Sequence, residues 1–524
     1  MKTKTIFASL LAMATLISCN NENEDPAGGG GQADMDVAYL SVKIQAESLT
    51  RASDEDAGEA AESDLKSLYL LTFDKDGVIT AVPGGGYYTE ITQTTSPIAA
   101  QKVSGSATDL LVIANPGAIL KGVITGGISS TTTFATINNA LADATHEELT
   151  GTNGFTMINS GDESGKNAGS TIDDPLIDIS SSIKKPADYS GSDPDGDAKA
   201  AAEAARVTVK IERLASKVQF KLATSVDAGN ATFTFSAWTL DGVNSTFYPW
   251  AKKTILTVAH NTGFYTNNFY TIDPNYTNST GIKKATVDAN YDPVLVPPYA
   301  WETDGTSGKA MFCIENTMDA PQQLFGNATR LVFKGTYYPK NFTNGTDWYH
   351  FAGTDYETLG ALQTAYAAAP TSSNLRSACD DFYTKIKTED PTIGTSTTKF
   401  SELTQTMLDN ISNGGEIVKN GYQDGDQVIR WYQKGLCYWY YELRHDNSPT
   451  AGEMAFGKYG VVRNNWYRLT LNKVSGPGTP WFPDIDNPGP GDPDPTDPID
   501  ASTGYLGITV ESAPWIVWDT DFGV

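Results

Sequence analysis

Two positions near the N-terminus have the residue type and the setting for covalent processing. Cys19 follows Ser18 at the end of Ile6–Ile17, an apolar run of 12 residues that begins after two lysines. The run is shorter than the roughly 20 residues that cross a bilayer, and it has the length of an export signal. A small residue followed by cysteine is typical of a bacterial lipobox, in which the thiol receives a diacylglycerol. We therefore expect a lipoprotein signal peptide at 1–18 and lipidation, with palmitate, at Cys19; an ordinary signal peptide with a chance cysteine is the alternative.

Arg51 is the second candidate for processing. It lies in Leu49-Thr50-Arg51-Ala52 and is followed by an acidic run of small residues as far as Ser63. A polar loop of this kind is accessible to proteases. Cleavage between Arg51 and Ala52 would remove a propeptide at 19–51 together with the lipid anchor.

The other chemistry-bearing groups do not form a catalytic, cofactor-binding or metal site. His146 begins His-Glu-Glu-Leu, which lacks the second histidine of a His-Glu-x-x-His zinc pair. The sequence has no Gly-x-Ser-x-Gly elbow and no Walker loop. Asp193-Pro-Asp195-Gly-Asp197 and Asp74-Lys75-Asp76-Gly77 place oxygen ligands close together, but neither has a twelve-residue calcium loop ending in glutamate. We predict no enzyme activity and no cofactor, and we interpret these two motifs as linker and turn.

Polar residues elsewhere are predicted to have structural roles. Arg213 and Lys217 could form a cationic site, but ion-paired strand residues near a domain junction are the favoured interpretation. Glu315-Asn316 is expected to be a structural polar pair. Arg463-Asn464-Asn465 is expected to be the turn before the last strand of its domain, because asparagine tolerates the left-handed conformation.

Cysteines and aromatic residues also allow two interpretations. Cys313 and Cys437 lie in apolar segments and are predicted to be buried in strands. With Cys379 they number three, so at most one pair could form, and the sequence leaves that pairing open. An aromatic cluster could stack on sugar rings, but its alternation favours a sheet core. Its members are Trp431, Tyr432, Tyr438, Trp439, Tyr440 and Tyr441.

Composition excludes several classes of partner. The 524 residues include 37 Lys+Arg against 63 Asp+Glu, a net charge of −26. Such a chain is a poor ligand for nucleic acid and for anionic membrane surfaces, which attract basic proteins. We expect contact with a membrane only through the lipid anchor of the precursor. Hydrophobic residues make up 40% of the chain, enough for a globular protein with several domains.

Alternating and β-branched segments predict a mainly β chain with two sandwich domains. A Ser/Asp/Gly/Pro-rich break at 180–205 is interpreted as the boundary between them. The expected order is an N-terminal β-sandwich at 52–205, a C-terminal β-sandwich at 206–475 with a mainly helical insertion at about 352–413, a stiff Pro/Gly/Asp linker at 476–500, and a last strand at 501–524.

The last strand needs a partner, because a lone strand has unpaired backbone on both edges. Its apolar side chains include Leu506, Ile508, Val510, Trp515 and Val517. The strand either folds back onto its own domain or is donated to a neighbouring molecule by strand addition. Donation needs a vacant groove. Removal of Val37–Ile44, which places Leu40, Val42 and Ile44 on one face, would provide it.

Seven motifs, in this order along the chain, resemble the fimbrillins of Bacteroidales, which are type V pilus subunits. They are Leu-Ile-Ser-Cys19 with Leu-Thr-Arg51-Ala52, Ser67–Phe73 with its Asp-Lys-Asp-Gly turn, Asp109-Leu-Leu-Val-Ile-Ala-Asn115-Pro-Gly, Ile211-Glu-Arg213-Leu-Ala-Ser-Lys217-Val218, Phe312-Cys-Ile-Glu315-Asn316-Thr317, Tyr459-Gly-Val-Val-Arg463-Asn-Asn-Trp-Tyr467 with Gly476-Pro-Gly478, and Val510–Trp515. Ser216 stands where small aliphatic residues are commoner in the family, and the resemblance does not account for the large insertion at 352–413.

The resemblance implies two transthyretin-like β-sandwich domains, export as an outer-membrane lipoprotein, and cleavage by an Arg-specific maturation protease. It also implies a place in a cell-surface fimbria, where copies of the chain join head to tail by exchange of the C-terminal donor strand. Implied partners are tip and anchor subunits and, through adhesion, a host surface or other bacteria.

Three hypotheses therefore remain. The chain is a polymerising stalk subunit, or a monomeric surface-anchored adhesin or glycan-binding lipoprotein, or a tip or anchor subunit. The free donor strand and the candidate cleavage site disfavour the third. The second requires an exposed aromatic platform between residues 340 and 441.

Overall fold

The computed structural model describes residues 36–46, 60–92, 96–138, 142–143, 149–151, 154–159, 176–249, 252–257, 269–277, 302–306, 309–395, 399–419, 427–445, 452–484, 487–501 and 506–514. Strands outnumber helices, so the chain is mainly β as predicted. Cys19, Arg51, Ala52, Trp515 and Val517 lie outside the described residues.

One mixed sheet of eight strands forms the first domain. Its strands are β1 (Val37–Ala46), β2 (Leu68–Phe73), β3 (Thr89–Ile91), β4 (Ile98–Ser104), β5 (Asp109–Ala114), β7 (Met157–Asn159), β8 (Ile177–Asp178) and β9 (Val207–Arg213). The order is β3-β2-β5-β7-β9-β1-β4, and β8 pairs with β5. The two-residue strand β6 (Ala142–Asp143) pairs outside this sheet with β12 (Thr246–Phe247).

The eight-stranded sheet buries apolar side chains on both faces. One core takes alternate residues of β1, β2, β4, β5 and β9. The other lies under α1 (Ala118–Gly126) and α2 (Phe134–Asn138). A third helix, α3 (Pro194–Ala204), begins at Asp193, whose side chain caps the backbone N–H of Gly196. This helix packs over β1 and β4.

The position of β9 corrects the expected domain boundary. The sequence assigned Val207–Ile211 to the second domain, starting at 206. In the structure these residues pair with β1 and β7 and so complete the first sheet. The first strand of the second domain starts at Ala215. The Ala-rich stretch that suggested a boundary is helix α3, which connects β8 to β9 within the first domain.

Two antiparallel-rich sheets form the second domain. The first has the order β15-β10-β21-β22 and contains β10 (Ala215–Asp227), β15 (Ala310–Ile314), β21 (Asn465–Val474) and β22 (Leu506–Pro514). The second contains β11 (Thr232–Asp241), β16 (Arg330–Tyr338) and β20 (Leu436–Glu442). Side chains of both sheets share one apolar core, the arrangement of a β-sandwich. The transthyretin-like topology of the two domains stays a prediction.

Short strands and helices complete the second domain. β13 (Lys252–Thr257) pairs with β14 (Phe269–Ile272), and β17 (Trp348–Phe351) lies between β18 (Thr354–Tyr356) and β19 (Arg430–Tyr432). The helices are α4 (Leu359–Ala368), α5 (Asn374–Glu389), α6 (Gln405–Leu408) and α7 (Gly414–Lys419). The first two agree with the helices expected at 356–369 and 374–387. The third, expected at 400–411, is only the single turn α6 and a preceding 3₁₀ turn.

The proline-rich segment at 476–500 differs from the stiff spacer that its composition predicted. Trp481 is fully buried and donates a hydrogen bond from Nε1 to Asp492 at 2.9 Å. The Arg430 guanidinium donates to the carbonyl of Pro490 at 2.7 Å. At the end of the segment, Asp500 accepts a hydrogen bond from the Tyr459 hydroxyl at 2.7 Å. Proline density disfavours regular structure, but it does not prevent a coil from packing against a domain.

Candidate functional site

β1 occupies the interior of the first sheet, where both of its edges are paired. It runs antiparallel to β4, with Tyr39 opposite Lys102. It runs parallel to β9, with Lys43 opposite Thr208. The register with β4 is interrupted by a bulge between Leu40 and Val42. Loss of this strand would leave two facing rows of unpaired backbone groups, which is a groove shaped for one extended chain.

The inner face of β1 carries four apolar side chains. Ala38, Leu40 and Val42 are fully buried, and Ile44 is 5% exposed. Each large aliphatic side chain contributes roughly 1.5–3 kcal/mol on full burial, before the entropy of ordering is subtracted. The alternation that the sequence predicted is therefore confirmed on this face, and these side chains hold β1 in place.

The outer face of β1 is also covered, which sequence alternation alone did not indicate. Tyr39 is 2% exposed and packs under α3 against Ala198 and Ala202. Its hydroxyl donates a hydrogen bond to Asp195 Oδ1 at 3.2 Å, and the ammonium of Lys199 lies 5.1 Å from the ring centre. Burial, followed by the hydrogen bond to Asp195, raises the pKa of Tyr39. The alanines at 198 and 202, one turn apart on α3, are the signal that could have indicated a helix packed closely on a ring.

The C-terminal strand β22 has a different setting. Among the described residues it is the edge strand of its sheet and pairs only with β21, with Ile508 opposite Leu471 and Val510 opposite Leu469. Ile508 is half-buried against the sandwich core. The described part of the strand thus folds back onto its own domain, one of the two arrangements that the sequence left open. Leu506 also belongs to β22.

Arg213 and Lys217 lie at the domain junction and hold the chain shortly after the candidate cleavage site. Lys217 Nζ lies 2.7 Å from Glu62 Oε1 in a buried ion pair. Arg213 donates from Nε to the carbonyl of Glu62 and from Nη2 to Ser63 Oγ, both at 2.9 Å. Burial lowers the pKa of Arg213 to about 9, with Glu62 acting against the shift. The predicted structural role of this pair is confirmed.

Glu315, Asn316 and Arg463 have structural roles as well. Arg463 donates from Nε to Glu315 Oε2 at 2.8 Å in a buried ion pair, and a second nitrogen reaches the other carboxylate oxygen. Asn316 Nδ2 donates to the carbonyl of Asn327 at 2.8 Å. Asn464 has a φ of 58° and directly precedes β21, as the turn prediction required.

The two aspartate motifs are a cap and a turn. Asp193 caps α3, as described above. Asp74 Oδ1 accepts hydrogen bonds from the backbone N–H groups of Asp76 and Val78, both at 2.9 Å, which closes the turn after β2. In the described part of the chain, no group of three or more His, Cys, Asp or Glu side chains could hold a metal ion.

The aromatic cluster belongs largely to the core of the second domain. Trp431 and Tyr432 are fully buried, and the Tyr432 ring stacks on Trp348 with 3.8 Å between centroids. Trp439 is buried and stacks on Phe333. The only large hydrophobic side chain that is exposed among the described residues is Ile119, far from this cluster in sequence. An exposed platform for sugar rings is therefore not found in the described part of 340–441.

The three described cysteines are free and buried. Burial raises the pKa of Cys313 and of Cys379 to about 12, and it raises the pKa of Cys437 as well. Thiols in this state are poor nucleophiles. Cys313 and Cys437 lie in β15 and β20, as predicted.

Models of two protein families match the parts of the chain that contain β1 and β22. A model of the major fimbrial subunit protein FimA matches residues 38–213, the part of the chain that contains β1 and its neighbours. A model of the C-terminal region of the major fimbrial subunit protein type IV, fimbrillin, matches residues 430–521, which include β21 and β22. Together the two matches cover more than half of the chain.

The chain belongs to the fimbrillin family. Its matched families are structural subunits of fimbriae, so this fimbrillin is a cell-surface structural protein and not an enzyme. No helix in the described ranges has both the length and the apolar character to cross a membrane.

Two solved structures are among those similar to this fimbrillin. The fimbrilin FimA of Porphyromonas gingivalis is 12% identical, with a TM-score of 0.38, over 92% of this chain and 98% of that one. The tip fimbrial protein of Porphyromonas gingivalis with a C-terminal truncation is 13% identical, with a TM-score of 0.32, over 91% of this chain and 100% of that one. No curated protein matches the sequence.

Proposed function

We propose that this fimbrillin is the polymerising subunit of a type V pilus, built by exchange of its C-terminal strand. The lipid-anchored precursor at the outer membrane is cut after Arg51 by an Arg-specific protease, which removes Cys19 and β1. The groove between β4 and β9 then accepts residues 501–524 of the next copy. Repetition of this step gives a head-to-tail fimbria that carries tip and anchor subunits and supports adhesion to host or bacterial surfaces.

The observation that carries the proposal is the unequal pairing of β1 and β22. β1 has neighbours on both edges and buries both faces at Leu40 and Tyr39. Within the described part of the chain, β22 has a neighbour on one edge. A strand that leaves an edge position for an interior position gains a second row of backbone hydrogen bonds, so the exchange is favourable once β1 has gone.

The ends of the two segments are also arranged for such an exchange. Arg213 holds Glu62 and Ser63 at the domain junction, so the chain from Glu62 onward keeps this anchor when the residues before Ala52 are removed. Asp500 is held by the Lys458 ammonium at 2.9 Å and by Tyr459, directly before the residues that would move. The chain as far as Asp500 therefore stays attached to the second domain when the last strand is released.

Digestion of the purified precursor with an Arg-specific protease tests this function. N-terminal sequencing should give a new terminus at Ala52, and electron microscopy should show fibres that run as SDS-resistant ladders. Two matched controls, Arg51→Gln and a chain truncated after Asp500, should form no fibres. Fibres from uncut precursor would contradict the proposal, and so would complete cleavage that leaves only monomers.

A monomeric adhesin or glycan-binding lipoprotein is the second candidate. The return of β22 to its own domain is the observation that favours it. The burial of Trp431 and Tyr432 weighs against a sugar-stacking surface there. On this alternative, Arg51→Gln changes neither the oligomeric state nor surface adhesion.

A further inference from the structure

The C-terminal segment begins with a stretch that resembles the sequence of β1. Residues 37–46 read VAYLSVKIQA, and residues 503–512 read TGYLGITVES. The two Tyr-Leu pairs coincide, valine and isoleucine exchange places twice, and most other positions pair small or polar residues. In this alignment Tyr505 corresponds to Tyr39, and Leu506 corresponds to Leu40.

The sites that β1 occupies in the first sheet suit each of these residues. Leu506, Ile508 and Val510 correspond to the buried Leu40, Val42 and Ile44, and both sets consist of one leucine, one isoleucine and one valine, so their total volume is the same. Gly504 corresponds to Ala38, which is fully buried. Replacements that conserve volume are the ones that a packed core tolerates best.

The outer face agrees with the same alignment. Tyr505 corresponds to Tyr39, whose ring fills the space between the sheet and α3 and whose hydroxyl reaches Asp195. Gly507 corresponds to Ser41, which lies opposite the extra residue of β4 at the bulge. The hydrogen bond from Ser41 Oγ to the carbonyl of Ile98, at 2.6 Å, is the interaction that the replacement loses.

Displacement of the alignment by two residues, which keeps the same faces, is unfavourable in both directions. One displacement places Leu506 at the Ala38 site, which is then overpacked. The same displacement places Ser512 at the buried Ile44 site, which is then left with a cavity. The opposite displacement places Gly504 at the Leu40 site and Tyr505 at the site of Ser41, which is 1% exposed. Displacement by one residue reverses the two faces.

We propose that the C-terminal segment of a second copy enters the groove between β4 and β9 in one register, with Tyr505 under α3 in the place of Tyr39. The incoming strand runs in the direction of β1, parallel to β9. Tyr505 is the residue that determines the register, because only this alignment gives its ring a site of the right size with an acceptor, Asp195, for its hydroxyl. This inference rests on the strand exchange proposed above and adds its register and its partner residues.

Paired cysteines distinguish the possible registers directly. In β9, Thr208 is exposed and Lys210 is half-buried. They lie opposite Lys43 and Gln45 of β1. The proposed register therefore places Thr509 opposite Thr208 and Glu511 opposite Lys210. A displaced strand would instead place Thr509 opposite Lys210, or Glu511 opposite Thr208. Four full-length double variants cover these cases: Thr509→Cys or Glu511→Cys, each combined with Thr208→Cys or Lys210→Cys.

Each variant is cleaved, assembled, oxidised and digested, and disulfide-linked peptides are identified by mass spectrometry. Only the pairs 509–208 and 511–210 should be linked, and only in fibres; the uncut monomer of each variant is the control. Background linkage should be low, because Cys313, Cys379 and Cys437 are buried. Fibres linked through 509–210 or 511–208, or fibres with no linked pair, overturn the register and leave strand exchange standing. Failure of the unmodified cleaved chain to form fibres overturns both proposals.

Substitution of Tyr505 tests its role separately. Tyr505→Ala should slow fibre assembly at least tenfold, Tyr505→Phe should slow it less, and Ser502→Ala, outside the matched residues, should leave it unchanged. The thermal midpoint of each uncut monomer shows whether the variant has folded. Equal assembly rates for Tyr505→Ala and the unmodified chain would overturn the assignment of Tyr505.

Discussion

Single residues beside the start of β21 hold the second domain together. The Arg463 guanidinium and the Glu315 carboxylate form an ion pair in which both side chains are almost wholly buried. Removal of one partner from such a pair leaves an uncompensated charge in a low-dielectric interior. Removal of one partner therefore costs more free energy of unfolding than the intact ion pair contributes to it.

Glu315→Ala should lower the free energy of unfolding by roughly 3–5 kcal/mol, measured by urea denaturation of the uncut protein. Asp76→Ala is the matched control, because its ion pair with Lys75 is exposed on both sides; its effect should stay within about 0.5 kcal/mol. The double variant Glu315→Ala, Arg463→Met should recover part of the loss. An effect of Glu315→Ala as small as that of the control would contradict the role given to this ion pair.

Asp273 makes the stability of the second domain depend on pH. Burial raises its pKa to about 7, although Thr317 and Asn275 donate backbone hydrogen bonds to the carboxylate. Between about pH 4 and pH 7 the unfolded chain has lost this proton while the folded chain retains it. Because the folded state binds more protons there, the free energy of unfolding falls as pH rises through this range.

Asp273→Asn should remove this contribution. From about pH 4 to pH 7, the unfolding free energy of the original protein should fall relative to that of the variant by roughly 1.4 kcal/mol per pH unit. Above about pH 7 the difference between the two proteins should be constant. Denaturation curves at four pH values measure it. A difference that does not change with pH would show that Asp273 is already ionised in the folded protein.

Elements differ in how firmly they are held. Backbone hydrogen bonds on both edges and buried faces should protect β1, whereas β22 pairs on one edge with the strands that the structure describes. Amide hydrogen exchange of the uncut protein should therefore be slower at 37–46 than at 506–514, by at least about tenfold. Equal protection of the two strands from exchange would mean that β22 is not released from β21 more readily than β1 is released from its neighbours.

The segment at 476–500 should act as part of the second domain. Trp481→Ala removes a buried ring that packs beside Gly489 and Arg430, and it should cost roughly 3–5 kcal/mol in urea denaturation. Thr496→Ala, on the exposed part of the same segment, should change little. Nearly equal midpoints for the two variants would restore the interpretation of a spacer.

The sequence predicted elements well where local pattern and burial agree. The alternation of Leu40, Val42 and Ile44 identified β1, and helical spacing identified α5. It was misleading where long-range pairing decides. Nothing local in Val207–Arg213 indicates that it pairs with β1, which lies far away in the chain, and nothing in a run of prolines indicates that Trp481 packs against a domain.

At the scale of the whole molecule, the groove and the donor strand that would join two copies lie in different domains. The candidate groove belongs to the first domain, and the candidate donor strand is stored on the second. A contact between two different surfaces of identical copies does not close on itself unless its rotation forms a ring, so it can produce an open filament. The sequence could suggest both parts, but only the structure gives the pairing of β1 with β4 and β9.

The most direct test of strand exchange is to place the empty groove and the donor strand on two different chains. A cleaved chain truncated after Asp500 has a groove and no donor strand, and an uncut full-length chain has a donor strand and a filled groove. Each should be monomeric alone by native mass spectrometry, and circular dichroism should show that both are folded. Mixed, they should form a one-to-one heterodimer and nothing larger. Self-association of either chain alone, or a mixture that stays monomeric, would contradict strand exchange.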